Sequence, residues 1–121
     1  MATLTPTLTL TSTDATADAL SLTVTDSLTT AEPAVNMARA SILHTGATNI
    51  LTAAGNTSIT YVYLKNLDNT NIITVKNDNG DNFLDLNPGE FAFMPVKGAI
   101  GLEAQANTAT CKLEYGYWTK G

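Results

Sequence analysis

The alternation Thr7-Leu8-Thr9-Leu10-Thr11, which returns as Ser21-Leu22-Thr23-Val24-Thr25, decides the fold class. A side-chain period of two sends every apolar residue to one face and every hydroxyl to the other, the pattern of a half-buried strand and not of a helix. Thr is β-branched and stiff at χ1, so it adds its own preference for a pleated surface. Of the 21 Thr residues in the chain, 11 precede position 31. Residues 1–30 therefore read as a Thr/Leu-rich strand pair or arm, with Ser12 to Ala19 as its turn.

Further strands are predicted at Met37 to Thr45, Ser58 to Leu67, Asn71 to Asn77, Asn82 to Leu86, Glu90 to Val96, Ile100 to Gln105 and Thr110 to Thr119. Breakers separate them: Asn56, Asp68-Asn69-Thr70, the hairpin dipeptide Asn79-Gly80, the turn Asn87-Pro88-Gly89, and Lys97-Gly98. The single stretch of helical composition is Thr30 to Ala40, Ala-rich but interrupted by Pro33. Short strands without crossover helices predict an all-β fold, an antiparallel β-sandwich or jelly roll with an N-terminal strand arm. The 121 residues make one domain, with the arm at 1–30 and the sandwich body at 31–121.

Two segments break the alternation. Tyr61-Val62-Tyr63-Leu64 and Phe91-Ala92-Phe93-Met94 are apolar at odd and even positions alike, whereas an antiparallel strand with one wet face should alternate. Their second face is expected to be covered, either by a loop of the same chain or by another subunit.

Six basic residues against eleven acidic ones give a net charge of −5. The basic residues, Arg39, Lys65, Lys76, Lys97, Lys112 and Lys120, stand singly along the chain, so no phosphate-tracking run is visible and no nucleic-acid partner is expected. The opening Met1-Ala2-Thr3-Leu4-Thr5 has neither a basic segment nor an apolar run, and nowhere do 18 apolar residues follow one another. A soluble protein made in a cytosol, with no membrane partner, is the expectation. The lone Cys111 fits a reducing compartment.

The residues able to carry chemistry are few and scattered along the sequence. His44 and Cys111 lie in segments far apart, and Cys111 alternates with Leu113, Tyr115 and Tyr117, the pattern of a small buried hydrophobe. One histidine cannot build a His-rich metal cage. The run Asn77-Asp78-Asn79-Gly80-Asp81-Asn82 departs from the EF-hand spacing and is explained by Asx side chains bonding their own backbone at a hairpin. Asp85, Glu90, Glu103 and Glu114 show no diagnostic spacing, and no Gly-rich phosphate loop precedes a helix. The expectation is a protein that is not an enzyme, with no metal, cofactor or small-molecule substrate. Tyr61, Tyr63, Tyr115, Tyr117 and Trp118 could pack or stack on sugar rings; Trp118, facing away from Tyr115 and Tyr117, is expected at an interface.

The Thr-rich opening Thr7-Leu8-Thr9-Leu10-Thr11 with Ala19-Leu20-Ser21-Leu22-Thr23-Val24 resembles small virion structural proteins of marine tailed bacteriophages. The resemblance extends to Thr60-Tyr61-Val62-Tyr63-Leu64-Lys65-Asn66, to Leu86-Asn87-Pro88-Gly89-Glu90-Phe91, and to the ending Glu114-Tyr115-Gly116-Tyr117-Trp118-Thr119-Lys120-Gly121. It implies a β-sandwich or jelly-roll particle component present in many copies. With the acidic charge disfavouring the DNA-filled cavity, the expected role is a capsid decoration or cement protein: assembled in the host cytoplasm, seated on the outer surface of the virion, a homo-oligomer (a trimer favoured) bound to the major capsid protein. A tail or tail-fibre component that binds a glycan or host receptor is the alternative. The residues expected at the oligomer or capsid interface are Leu8, Leu10, Leu20 and Leu22 in the arm, with Tyr63, Phe93 and Trp118 as anchors.

Overall fold

The computed structural model describes residues 2–30, 37–51, 59–97 and 101–119. Among them the chain is all-β, with twelve strands, antiparallel pairings throughout and no helix. The strands are β1 (Ala2–Leu4), β2 (Thr7–Ser12), β3 (Leu20–Thr25), β4 (Leu28–Thr30), β5 (Ala38–Ile42), β6 (Thr48–Leu51), β7 (Ile59–Asn66), β8 (Ile73–Asn77), β9 (Asn82–Leu86), β10 (Phe91–Lys97), β11 (Leu102–Ala106) and β12 (Cys111–Thr119).

The first four strands form a ribbon only two strands wide. β2 pairs with β3 over Thr7↔Thr25 to Ser12↔Leu20, and β1 pairs with β4 over Ala2↔Thr30 to Leu4↔Leu28. Pro6 interrupts the ladder because it has no N–H to give. Its carbonyl still accepts the Asp26 N–H at 3.1 Å, which keeps the two halves in one track. At the tip, Ser12 Oγ accepts the N–H groups of Asp14 and Ala15 and turns the chain.

From β5 onward the pairing is nested. β5 pairs with β12, β6 with β11, β7 with β10, and β8 with β9, so the outermost strands meet first and the series closes at the β8–β9 hairpin. Two lateral pairings, β7 with β12 and β8 with β11, join these into sheets of order β10-β7-β12-β5 and β6-β11-β8-β9. Both sheets bury one face in the same apolar cluster: Ile42, Val62, Leu64 and Leu113 come from the first, and Ile73, Val75, Leu86 and Leu102 from the second.

Turn chemistry holds the nesting in register. Asn77 Oδ1 accepts the N–H groups of Asn79 and Asp81 at 2.9 Å each, and Gly80 takes φ +87°, a conformation disfavoured for residues with a Cβ. At the next turn Pro88 supplies its fixed φ and Gly89 the positive one, φ +80°, while the Glu90 N–H returns to the Asn87 carbonyl at 3.0 Å.

Three expectations are refined. The segment Met37 to Thr45 yields only β5, with the unforeseen β6 following it; the ribbon is longer than foreseen by β1 and β4. The helical composition at Thr30 to Ala40 does not prevail at its ends, since Thr30 closes β4 and Ala38 opens β5. Positions 31–36 lie outside the described residues, as do Asn56, Ser58, Gly98 and Ile100.

Candidate functional site

Directly opposed residues of an antiparallel pair share a face. The register Leu8↔Val24 and Leu10↔Leu22 therefore gathers the ribbon's apolar side chains on one side, and Thr7↔Thr25, Thr9↔Thr23 and Thr11↔Ser21 gather hydroxyls on the other. The Thr7 and Thr25 hydroxyls lie 3.3 Å apart in a hydrogen bond. Leu8, Leu10, Leu22 and Val24 remain 44, 42, 40 and 51% exposed, while Leu20, opposite Ser12, is half-buried. A ribbon of two strands without a third strand or a cover is marginal in water. Covering the rest of these four side chains is worth on the order of 4 kcal/mol.

The second surface is the outward face of sheet β10-β7-β12-β5. Its register places Phe93 opposite Tyr63, Pro95 opposite Tyr61, and Trp118 opposite Tyr61 from the other side. Phe93 stacks on Tyr61 at 6.4 Å between ring centroids and tilts against Trp118 at 6.4 Å. Phe91 is 61% exposed beside them. Gly116 lets side chains close over this surface: a Cβ there would stand 2.6 Å from Met37 Sδ and 3.2 Å from Trp118 Cη2, so the half-exposed Met37 side chain would have to move aside. The apolar residues at both parities of β7 and β10 thus divide cleanly: Val62 and Leu64 enter the core, while Tyr63, Phe91 and Phe93 form this outer face.

Basic residues that stand singly in the sequence are brought together here by the sheet register. Lys65 lies opposite both Phe91 and Glu114, Arg39 opposite Glu114, Lys112 opposite Ser41, and Lys97 continues the outward positions of β10. Among the described residues, the one carboxylate on these strands facing the same way is Glu114. It accepts the Tyr63 hydroxyl at 3.1 Å and Arg39 Nε at 3.3 Å. Burial first, and then that carboxylate, hold the Tyr63 phenol above its ordinary pKa. The outward face of the other sheet is different in kind: Thr74, Lys76, Asp85, Glu103 and Gln105 give a wet polar surface with Lys76 bonded to Gln105 and Thr74 to Asp85.

The two apolar surfaces meet. A cleft of about 410 Å³ lies between Leu8 and Val24 on the ribbon and Phe91, Ala92 and Phe93 on β10. Every residue expected at an interface therefore falls on one of two faces: Leu8, Leu10, Leu20 and Leu22 on the ribbon, and Tyr63, Phe93 and Trp118 on the sheet. Val24, Tyr61, Phe91 and the four cations belong with them. Val24 and Phe91 were legible from the same parity as their neighbours, but the cations meet only through pairings across distant segments.

Elsewhere the reactive groups are dispersed. Cys111 is buried, and burial, then the charge of Asp68, pushes its thiol up. His44 is exposed. Tyr115 and Tyr117 pack against the core. Among the described residues no three of His, Cys, Asp and Glu gather as a metal-binding group would.

Two turn carboxylates accept hydrogen bonds that favour their charged forms. Asp68 accepts the N–H groups of Asn71 and Thr70, and Glu90 accepts the N–H and side-chain amide of Asn87; these bonds lower both pKa values from 3.8 and 4.5. A depressed folded pKa means stability that is present above the unfolded value and lost as pH falls through the folded one. The melting temperature is expected to stay level from neutrality to about pH 5 and to drop below that, with Asp68→Asn and Glu90→Gln each giving a shallower acid limb. Melting scans across that range check it; an unchanged limb in the double variant would show that these turns do not govern acid unfolding.

The chain matches no protein-family model, no curated protein and no solved structure.

Proposed function

We propose that this chain is a structural subunit of a phage virion, a decoration or cement protein that binds the outside of the head as a homo-oligomer. In this reading the two sheets form a β-sandwich of jelly-roll type and the N-terminal ribbon is an arm that reaches a neighbour. The nested pairing of β5 to β12, first strand with last down to the central hairpin, supports the jelly-roll assignment. That architecture serves viral capsid domains as well as lectins and cupins, so the fold alone does not choose among them.

The observation that carries the choice is the contrast between surfaces. One sheet turns a mainly polar face to water, with Phe83 on its edge strand β9 51% exposed, while the other sheet and the ribbon leave several apolar side chains uncovered around a common cleft. A protein that works by contact with other subunits needs such faces. Binding only to the assembled shell would stabilise that shell by mass action, and the major capsid protein is the expected neighbour.

The test is thermal. Particles lacking the protein should release DNA several degrees below complete ones, and adding purified protein back should restore the difference. Release at one common temperature would rule out cementing. The exposed rings of Phe91 and Phe93 also favour a second reading, a tail or tail-fibre component that stacks on a host glycan. Localisation to the tail by electron microscopy, together with glycan binding abolished by Phe91→Ala, would establish that reading in place of the first.

A further inference from the structure

We propose that the β2–β3 ribbon of one copy seats its Leu8, Leu10, Leu22 and Val24 face on the outward aromatic face of β10-β7-β12-β5 in a second copy. The inference rests on the homo-oligomer part of the proposed function and names the surfaces that make it.

Charge selects the partner. Residues 1–30 contain Asp14, Asp18 and Asp26 and no Lys or Arg. The outward sheet face has the opposite balance, with Arg39, Lys65, Lys97 and Lys112 against Glu114. Lys65 and Lys97 form no ion pair with a described residue. An acidic apolar ribbon and a basic aromatic platform are complementary in both respects, and rim charges of this kind steer encounter and set orientation more than they add affinity. Two ribbons set face to face would bring acids against acids.

The area is sufficient when the exchange is reciprocal. Leu8, Leu10, Leu22, Val24, Phe91 and Phe93 are 36 to 61% exposed. These six leave on the order of 500 Å² of apolar surface per copy, so two mutual seats reach the roughly 1,000 Å² that marks a specific interface. The cleft at the ribbon's base leaves Phe91 and Phe93 accessible to an incoming ribbon. Each copy gives a ribbon and receives one in the same contact, so the contact closes as a two-fold dimer.

The experiment is complementation, read by light scattering on full-length protein. Wild type should be oligomeric at micromolar concentrations. Leu10→Asp/Leu22→Asp, which spoils the ribbon, and Phe91→Asp, which spoils the platform, should each be monomeric, with at least a tenfold loss of self-affinity. Circular dichroism and melting of the body should stay as in wild type, because all three positions are exposed. Mixed one to one, the two variants should form a heterodimer through their one intact seat, since one retains the platform and the other the ribbon, weaker than the wild-type dimer but absent from either variant alone. If wild type is oligomeric and both variants remain so, the ribbon seat is wrong while the homo-oligomer stands. If the ribbon variant alone dissociates and mixing restores nothing, ribbon-to-ribbon packing replaces the seat. A monomeric wild type that still binds particles overturns self-association altogether and assigns the ribbon to the capsid protein.

Discussion

Replacing Asn66 by Ala is expected to lower the stability of the domain by about 3–5 kcal/mol, enough to bring its melting temperature down by roughly 10–20 °C. Asn66 ends β7 with its side chain fully buried, and every polar atom of that side chain is in use. Nδ2 donates to the Leu86 carbonyl and to the Asn71 carbonyl, each at 2.9 Å, while Oδ1 accepts the Asp68 N–H at 2.9 Å. Its backbone adds two bonds, its N–H to the Glu90 carbonyl at 2.9 Å and its own carbonyl to the Gly89 N–H at 3.1 Å. One residue thereby ties the first sheet to β9 of the second and to the loops beside both. Ala removes the partner of three groups at once, and an unsatisfied buried group costs about 1–3 kcal/mol. Asn66→Asp sharpens the test. A carboxylate aimed at two carbonyl oxygens is repelled, so this variant should be at least as unstable as Asn66→Ala at neutral pH. Because burial raises the pKa of that carboxyl, acidification protonates it and returns one donor, so its stability gap to wild type should narrow as pH falls. Urea unfolding at neutral and mildly acidic pH measures both effects. A gap that does not change with pH would show that the donors of Asn66 are not what holds the sheets together.

The same residue shows where sequence reading stops. The sequence places Asn66 inside a strand running to Leu67, one residue past where β7 ends, and nothing local says that its amide crosses to the other sheet. Features decided within a few residues were legible. Thr-Leu alternation gives β2 and β3, Asn79-Gly80 gives the β8–β9 hairpin, and Asn87-Pro88-Gly89 gives a turn whose φ values only Pro and Gly supply at no cost. Features decided across the chain were not. The ribbon's continuation through Leu4↔Leu28 was hidden by Pro6, which has no N–H for the ladder, and by Asp26, where the apolar period of the facing strand stops although the pairing resumes beyond it. β6 is four residues long and too short to show a period. Likewise the apolar residues at both parities of β7 and β10 announced a second apolar face, which the chain itself leaves open at Phe91 and Phe93, but the cations around that face come from four strands whose adjacency is a matter of register. A net charge of −5 concealed a basic patch because charge is a property of surfaces and the sequence orders residues along a line.

Two Leu→Ala substitutions should separate what holds the fold from what the fold presents. Leu64 is 1% exposed on the inner face of β7, between Ala92 of β10 and Tyr115 of β12 in register, at the centre of its sheet. Its neighbours in the core come from both sheets, so they cannot collapse into the space without moving two ladders. Leu64→Ala is therefore expected to cost about 2–5 kcal/mol, the lost transfer free energy plus the cavity left behind. Leu10 is chemically identical but 42% exposed on the ribbon, opposite Leu22. Truncating it removes roughly half as much buried surface and leaves no closed cavity, so the folded monomer should lose under about 1 kcal/mol. If the ribbon is a contact surface, the order of effects reverses when association is measured: Leu10→Ala weakens self-assembly several-fold, whereas Leu64→Ala, at temperatures where it is still folded, leaves it near wild type. Calorimetry on dilute protein and light scattering on concentrated protein give the two columns of this comparison. Parallel losses in both would mean that the ribbon is an ordinary part of the core's stability. Opposite losses would mean that a two-stranded ribbon, unable to sustain its own apolar face in water, is kept in the sequence for what it meets on another molecule.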